Sequence, residues 1–264
     1  MQPLALPQLI ALVTECGDYA RDQRDSLEIT RKSDGSIVTQ VDQSVEQRIV
    51  SYLRATYPTY AILGEEGTQY AFESNSLPAY TWVIDPIDGT SAYAGRLTGW
   101  CVGVGLLAGG VPIAGVVYSP MNNECYVATP EGHAYRNNVR LPAVSTTTKQ
   151  LDNWMSVPSD THRKYDIQYP GRVRTTGATI LSLCYTAANM SAAALIGGCK
   201  AWDIAPALAL LRYTGCELWD LNGAPIDILA LLSPTATSPT MLCAPRDAYD
   251  HYRQYIHVRG EIYR

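Results

Sequence analysis

The chain has no C-x-x-C pair, no G-x-S-x-G elbow, no run approaching 18 uncharged apolar residues and a single phenylalanine, Phe72. Each absence excludes something. Seven cysteines, Cys16, Cys101, Cys125, Cys184, Cys199, Cys216 and Cys243, are odd in number and scattered. That is the pattern of reduced, mostly buried thiols, and not of a disulfide frame or a zinc site. With no nucleophile elbow and no cysteine in a local catalytic motif, covalent catalysis has no support. His133, His162, His251 and His257 stand alone, none with a second His or Cys at metal spacing. Residues 1–20 lack a basic start followed by a long apolar run, so neither export nor membrane spanning is expected, and a cytoplasmic location is. Lys and Arg number 20 against 25 Asp and Glu, and the net charge is -5. Such a balance gives no general attraction to nucleic acid or anionic membranes, leaving a small diffusible ligand as the expected partner.

What is present is apolar material enough for a large core, 47% hydrophobic against 17% charged in 264 residues. Leu9, Ile10, Val13, Cys16 and Ala20 recur at helical spacing and predict a helix from Pro7 to about Arg24. Val45, Ile49, Val50 and Leu53 predict a second after Asp42, stopped by Pro58. Ala61-Ile62-Leu63 is a short apolar run, Gly67 to Ala79 reads as a polar loop, and Thr81 to Asp85 as a buried strand. Trp100 to Leu107 should pair with Val111 to Tyr118 as a hairpin. Past a Ser/Thr-rich link, Val144 to Lys149, the pattern predicts a strand at Trp154 to Val157 and a helix at Gly177 to Asn189. A strand at Ala192 to Ile196, a helix at Ile204 to Tyr213 and a turn at Asn222-Gly223 follow. This irregular order favours a layered α+β or α/β sandwich over a doubly wound sheet, with packed lobes at residues 1–145 and 146–264. Tyrosine, at 18 residues, takes the place of phenylalanine; Tyr249, Tyr252 and Tyr255 are expected to pack from a C-terminal helix. Gly103-x-Gly105-x-x-Ala108 imitates a dinucleotide fingerprint but opens no helix, so it carries no phosphate-binding reading.

Chemistry concentrates at Asp85-Pro86-Ile87-Asp88-Gly89-Thr90. Pro86 fixes φ and bends the chain at the strand end, so both carboxylates can point into one space. Two unpaired carboxylates about 4 Å apart repel by roughly 4 kcal/mol at an effective dielectric near 20. No basic residue occurs between Glu66 and Gly95 to relieve this. Hard oxygen donors select Mg²⁺, Mn²⁺ or Ca²⁺ over zinc, and Gly89-Thr90-Ser91 has the composition of a helix start that favours an anion. Taken by itself, D-x-x-D-G-T reads equally as a capped turn.

The motif does not stand by itself. Lys32-x-Asp34-Gly35-Ser36-x-Val38-Thr39-x-x-Asp42 precedes Gly64-Glu65-Glu66, the Trp82 to Thr90 segment follows, and Trp202-Asp203-Ile204-Ala205 completes the series. From Lys32 to Asp227 the chain resembles the inositol monophosphatase family. The resemblance implies an αβαβα sandwich, a homodimer, lithium sensitivity and magnesium-dependent hydrolysis of a phosphate monoester. It implies that Glu65, Asp85 and the Ile87 carbonyl hold one Mg²⁺ and that Asp85, Asp88 and Asp203 hold a second, with a third, weaker ion at Glu65. Thr90 would orient the attacking water with Asp42 behind it, making Glu65, Thr90 and Asp42 the catalytic set. Asp88, Gly89, Thr90 and Ser91 would meet the phosphate, and Gly177 and Ile196 would lie on the substrate side. Asp203 alone could also cap a helix; Lys32 could be a surface lysine or steady a loop; Glu66 reads as solvated or as supporting Glu65.

The likeness thins at the substrate. Ile196 stands where inositol-phosphate members carry a sugar-binding acid, and an apolar side chain offers a hydroxyl no acceptor. A generic small phosphomonoester therefore ranks ahead of inositol 1-phosphate, histidinol phosphate and 3′,5′-bisphosphate nucleotides. A metal-binding, partner-binding member without turnover is the alternative of a different class.

Overall fold

A computed structural model describes residues 2–33, 35–70, 78–146 and 153–259. Asp34, the 71–77 part of the expected loop and the 147–149 end of the expected link lie outside these residues.

Five layers follow from how the apolar faces are satisfied. The helices Leu6–Asp22 and Gln40–Thr56 form the first, burying Leu9, Val13, Cys16 and Ala20 from one and Val41, Val45, Ile49 and Leu53 from the other. The second helix starts earlier than its apolar spacing suggested. Thr39 accepts from the Val41 and Asp42 N–H groups while the Asp42 carboxylate accepts from Thr39 N, a reciprocal capping box that draws Asp42 into the first turn.

These helices cover one face of a sheet that, among the described residues, has eight strands. The strand central to the site, Tyr80–Asp88, lies third from one edge, parallel to Ala61–Gly64 on one side and antiparallel to Cys101–Ala108 on the other. Strand alternation turns Trp82 and Ile84 toward the helices and Val83 to the opposite face. The central strand does not stop at Asp85. It continues through Pro86 with a register shift, so that Asp85 faces Gly103 and Asp88 faces Cys101. Gln69–Tyr70, expected to be loop, pairs with Ala61–Gly64 as a short edge strand.

The helices Thr179–Ala187 and Ala205–Thr214 form the third layer, buried on nearly all sides. A five-stranded sheet forms the fourth, in the order Arg172–Arg174, Trp154–Ser156, Ala193–Ile196, Met241–Pro245 and Cys216–Asp220. The fifth comprises the short helix Tyr249–Arg253 and the strand pair Tyr165–Ile167 with Ile256–Val258. Tyr252 and Tyr255 pack on Tyr169 and Tyr249 on Trp219, although Tyr255 lies beyond the helix end. The αβαβα order is the one expected.

Close packing on glycine fixes how the second and third layers meet. The helix Ala205–Thr214 begins on a floor of strand glycines. A Cβ on Gly105 would lie 2.6 Å from the Ala205 carbonyl oxygen, and one on Gly115 would lie 2.2 Å from that of Pro206. The pattern that imitates a dinucleotide fingerprint thus serves close helix-to-sheet approach. Gly115→Ala should force the helix start off the sheet and destabilise the fold by about 1–3 kcal/mol, as overpacking does. Thermal unfolding of the purified variant measures this, and an unchanged midpoint would mean the contact is slack.

Candidate active site

The end of the central strand, the turn before Ala205–Thr214 and the start of Thr179–Ala187 converge at one corner. There Asp85, Asp88 and Asp203 each present an oxygen within 4.8 Å of the others. Asp85 is fully buried, and among the described residues neither of its carboxylate oxygens has a hydrogen-bond partner. Asp88 is held by the first turn of Thr179–Ala187: its Oδ1 accepts from Thr179 N at 3.1 Å and its Oδ2 from Ile180 N at 2.5 Å. Asp203 accepts from Lys200 N at 2.6 Å through Oδ2. It makes no side-chain cap to the helix that follows, whose N-cap position is Ile204, so the capping alternative falls away.

Burial and mutual repulsion perturb every acid here. Burial, then the charges of Glu65, Asp88 and Asp203, hold the Asp85 carboxyl well above the usual carboxylate range. Asp88 is raised likewise, first by burial and then by Asp203, against the opposing pull of the Ile180 and Thr179 N–H groups. Asp203 is pushed up to about 6, chiefly by burial. Glu65 is pushed up to about 7 by burial, which outweighs the lowering effect of Lys32. A corner built this way is charged only reluctantly unless a cation enters it.

Glu65 follows the strand Ala61–Gly64 in a turn with its own scaffold. Lys32 Nζ donates to Glu65 Oε1 at 2.9 Å and to Glu66 Oε1 at 2.7 Å. Neither Lys32 nor Glu66 is thus a free surface group. Burial alone would lower the Lys32 pKa, but Glu65 and Glu66 together raise it. Behind the turn, Glu46 accepts from Glu66 N at 2.8 Å and from Thr68 Oγ1 at 2.6 Å. Sequence reasoning missed Glu46. The signal was there, because Asp42 and Glu46 are acids four apart on a helix face that otherwise carries Val41, Val45 and Ile49.

Asp42 is fully buried, its Oδ2 accepting from Thr39 N at 2.8 Å and Thr39 Oγ1 at 2.5 Å. Burial pushes it up to about 6. Thr90 Oγ1 lies 3.0 Å from the Ile87 carbonyl oxygen and 3.4 Å from Asp42 Oδ1. Gly89 takes φ +86°, and a Cβ there would lie 2.8 Å from Gly99 O and 2.9 Å from Gly177 O, which places Gly177 directly against the motif. Ser91 is exposed in the helix Thr90–Ala94. Ile196, buried on its strand, forms part of the wall of a cleft of about 260 Å³ that runs from Asp88 past Gly177 to Asp160 and Lys164. Asp85, Asp88 and Asp203 thus meet at one corner, Gly89 packs against Gly177 beside it, and Asp88, Gly177 and Ile196 line the cleft, whereas Glu65 lies outside the tight triad of acids and no contact ties Ser91 to it among the described residues.

The sequence profile of the inositol monophosphatase family matches residues 5–256. The chain belongs to the inositol monophosphatase family. It is therefore a phosphoric monoester hydrolase that uses magnesium. The chain is similar to Nus factor SuhB of Xylella fastidiosa, 30% identical over 76% of this chain and 74% of that protein. It is likewise similar to inositol-1-monophosphatase ImpA of Mycolicibacterium smegmatis, 30% identical over 85% of this chain and 86% of the other. Among solved structures, an IMPase/NADP phosphatase complexed with Mg²⁺ and phosphate superposes with a TM-score of 0.78 at 19% identity, covering 97% of this chain and 96% of that one.

The raised carboxyl pKa values have a definite sign in stability. A carboxyl that holds its proton more tightly folded than unfolded favours the fold below its unfolded value of about 4, and that contribution is lost as pH rises through about 6 to 7. A divalent cation held by the deprotonated Glu65 and Asp203 carboxylates would offset their part of the loss. In scanning fluorimetry, Mg²⁺ added to chelator-treated protein should raise the melting temperature more at about pH 8 than at about pH 5. An equal or reversed difference would contradict the electrostatics described.

Proposed function

We propose that Glu65, Asp85, the Ile87 carbonyl, Asp88 and Asp203 hold two to three magnesium ions, and that a small soluble phosphate monoester is hydrolysed beside them. The observation that carries this reading is Asp85, fully buried with two carboxylate oxygens that have no hydrogen-bond partner among the described residues. Leaving such a group uncompensated is costly, and a hard divalent cation is the partner its donor chemistry selects. When bound, magnesium supplies Lewis acidity that makes water a better nucleophile and offsets charge on the phosphate and the leaving oxygen.

This chain's residues supply the orientation. The Thr90 hydroxyl has one proton and two acceptors in reach, Ile87 O and Asp42 Oδ1. Donating to Asp42 leaves its own oxygen free to accept from the attacking water. Asp42, raised to about 6, is suited to take up a proton relayed through Thr90 near neutral pH. The water oxygen forms a bond to phosphorus as the bond from phosphorus to the ester oxygen breaks, and the leaving alkoxide is protonated from solvent. Gly89, Thr90 and Ser91 take the phosphate through backbone N–H groups at a helix start.

The site divides between segments. Residues 1–145 contribute Glu65, Asp85, Ile87 and Asp88, and residues 146–264 contribute Asp203, Gly177 and Ile196, which supports reading them as two lobes. With Ile196 in the cleft wall, a generic phosphomonoester ranks ahead of inositol 1-phosphate, histidinol phosphate and 3′,5′-bisphosphate nucleotides. A solved structure of the same fold is a dual specific IMPase/NADP phosphatase bound with D-inositol-1-phosphate, and little separates these last three esters as candidates. We further propose a cytoplasmic, lithium-sensitive homodimer; no helix among the described residues is long and apolar enough to cross a membrane. Light scattering tests the dimer.

A second reading, a partner-binding protein that keeps an intact site without turnover, is favoured by the name of its SuhB relatives, Nus factor. Phosphate release from a panel of esters, with and without Mg²⁺, separates the two. Turnover on at least one ester, lost with chelator, is expected; silence on all with magnesium binding retained favours the second. Asp85→Asn should lower kcat by about 10³-fold or more, the loss of several kcal/mol of charge stabilisation. In chelator at about pH 8 the same variant should melt higher than the parent, because an amide removes the cost of a carboxyl that must either take up a proton or bear a buried charge on folding. Near-parental turnover would remove Asp85 from the reaction.

A further inference from the structure

The cleft that leads away from Asp88 carries a feature the hydrolytic machinery does not use. Among the described residues that line it, the only charged side chains besides Asp88 are Asp160 and Lys164. The remaining wall is neutral, with Val157 and Ile196 apolar and Thr175 and Thr176 bearing hydroxyls. With Asp88 committed at the metal end, a leaving group lying along the cleft meets one cation and one anion.

These two groups are paired and held. Lys164 Nζ lies 2.7 Å from Asp160 Oδ2, with side-chain exposures of 57% and 42%. Asp160 occupies the N-cap position of the turn Thr161–Lys164, yet it makes no side-chain cap; its carboxylate faces the lysine instead. The backbone beneath is pinned at both ends, by Thr161 Oγ1 donating to Pro158 O at 2.5 Å and by Arg259 N donating to Lys164 O at 2.9 Å. An ammonium has three donors, and the one partner that Lys164 has among the described residues leaves two for a ligand. Both groups are open to solvent, so the pair itself contributes little to stability.

We infer that Lys164 is a specificity-determining residue, selecting phosphate esters whose leaving group carries a second anionic substituent. The inference rests on the phosphatase reading of the metal corner. A polyol leaving group finds apolar Ile196 and Val157 together with hydroxyls and an Asp160 carboxylate already engaged by Lys164, whereas a carboxylate or second phosphate on the leaving group finds the Lys164 ammonium, the one cationic donor among the described residues of the cleft. Such hydrogen bonds with a charged partner are made in ground state and transition state alike, so their effect falls on KM and leaves kcat.

The test compares two esters of one size, 3-phosphoglycerate with its carboxylate and glycerol 3-phosphate with a hydroxymethyl group in its place. The parent chain should prefer 3-phosphoglycerate. Lys164→Gln should raise KM for 3-phosphoglycerate about tenfold, equivalent to about 1.4 kcal/mol, and leave glycerol 3-phosphate within about twofold. Lys164→Arg should restore most of the difference. Independently of turnover, 3-phosphoglycerate should protect Lys164 from amine acetylation read by mass spectrometry, and glycerol 3-phosphate should not. Equal loss on both esters, no loss on either, or no differential protection would overturn the role of Lys164 while leaving the metal corner intact. Absence of turnover on every ester by the parent chain would overturn the phosphatase reading and this inference with it.

Discussion

Repulsion among buried carboxylates is the constraint around which this molecule is arranged. Asp85, Asp88 and Asp203 bring oxygens within 4.8 Å of one another, and Glu65 adds a further charge. Left uncompensated, each close pair opposes folding by roughly 4 kcal/mol at 4 Å and an effective dielectric near 20. Backbone donors reach only some of the acids. Asp88 receives two N–H groups from the helix Thr179–Ala187 and Asp203 one from Lys200, while both Asp85 oxygens receive none among the described residues. The protein thus fixes the flanking acids by hydrogen bonds and leaves the central one without a polar partner among the described residues, the place where we propose a cation.

Distant parts of the fold serve that placement. The glycine floor at Gly105 and Gly115 lets Ala205–Thr214 start close against the sheet, which carries Asp203 to within reach of Asp85 and Asp88. Glu46 and Lys32 grip the turn of Glu65 from two sides. The shift in register through Pro86 keeps Asp88 on the strand while changing its partner, so two acids three residues apart serve one site. None of these contacts touches a reacting atom, yet each fixes where a ligand oxygen lies.

That division explains what could be read from the sequence. The acids of the corner fall in short motifs whose order along the chain is specific, so Asp85, Asp88, Glu65 and Asp203 could be named together as proposed ligands although no one motif sufficed. Helices with a single apolar face were legible to within a few residues. The supporting contacts were not, because they join residues far apart: Asp88 to Ile180 spans 92 positions, and Gly115 to Pro206 depends on how two layers meet. Gly103 and Gly105 were even misleading, since glycine spacing looks the same whether backbone approaches a phosphate or a helix. The Gln69–Tyr70 strand was missed because two residues carry no period, and its pairing is set by the neighbouring strand.

Catalysis and substrate choice rest on different pieces of chain. The acid corner draws on residues 65 to 90 and Asp203, whereas the cleft wall draws on residues 157 to 164 and 175 to 199, with Asp88 the member common to both. Side chains in the wall can therefore differ without displacing a single ligand oxygen. Likeness at the acid corner consequently says little about the ester. For this chain the discriminating positions are Ile196, which removes an acceptor, and Lys164, which adds a donor. A wall that loses an acceptor and presents an ammonium reverses the polarity of the leaving group it suits, from a polyol toward an anion, while the chemistry at phosphorus stays the same.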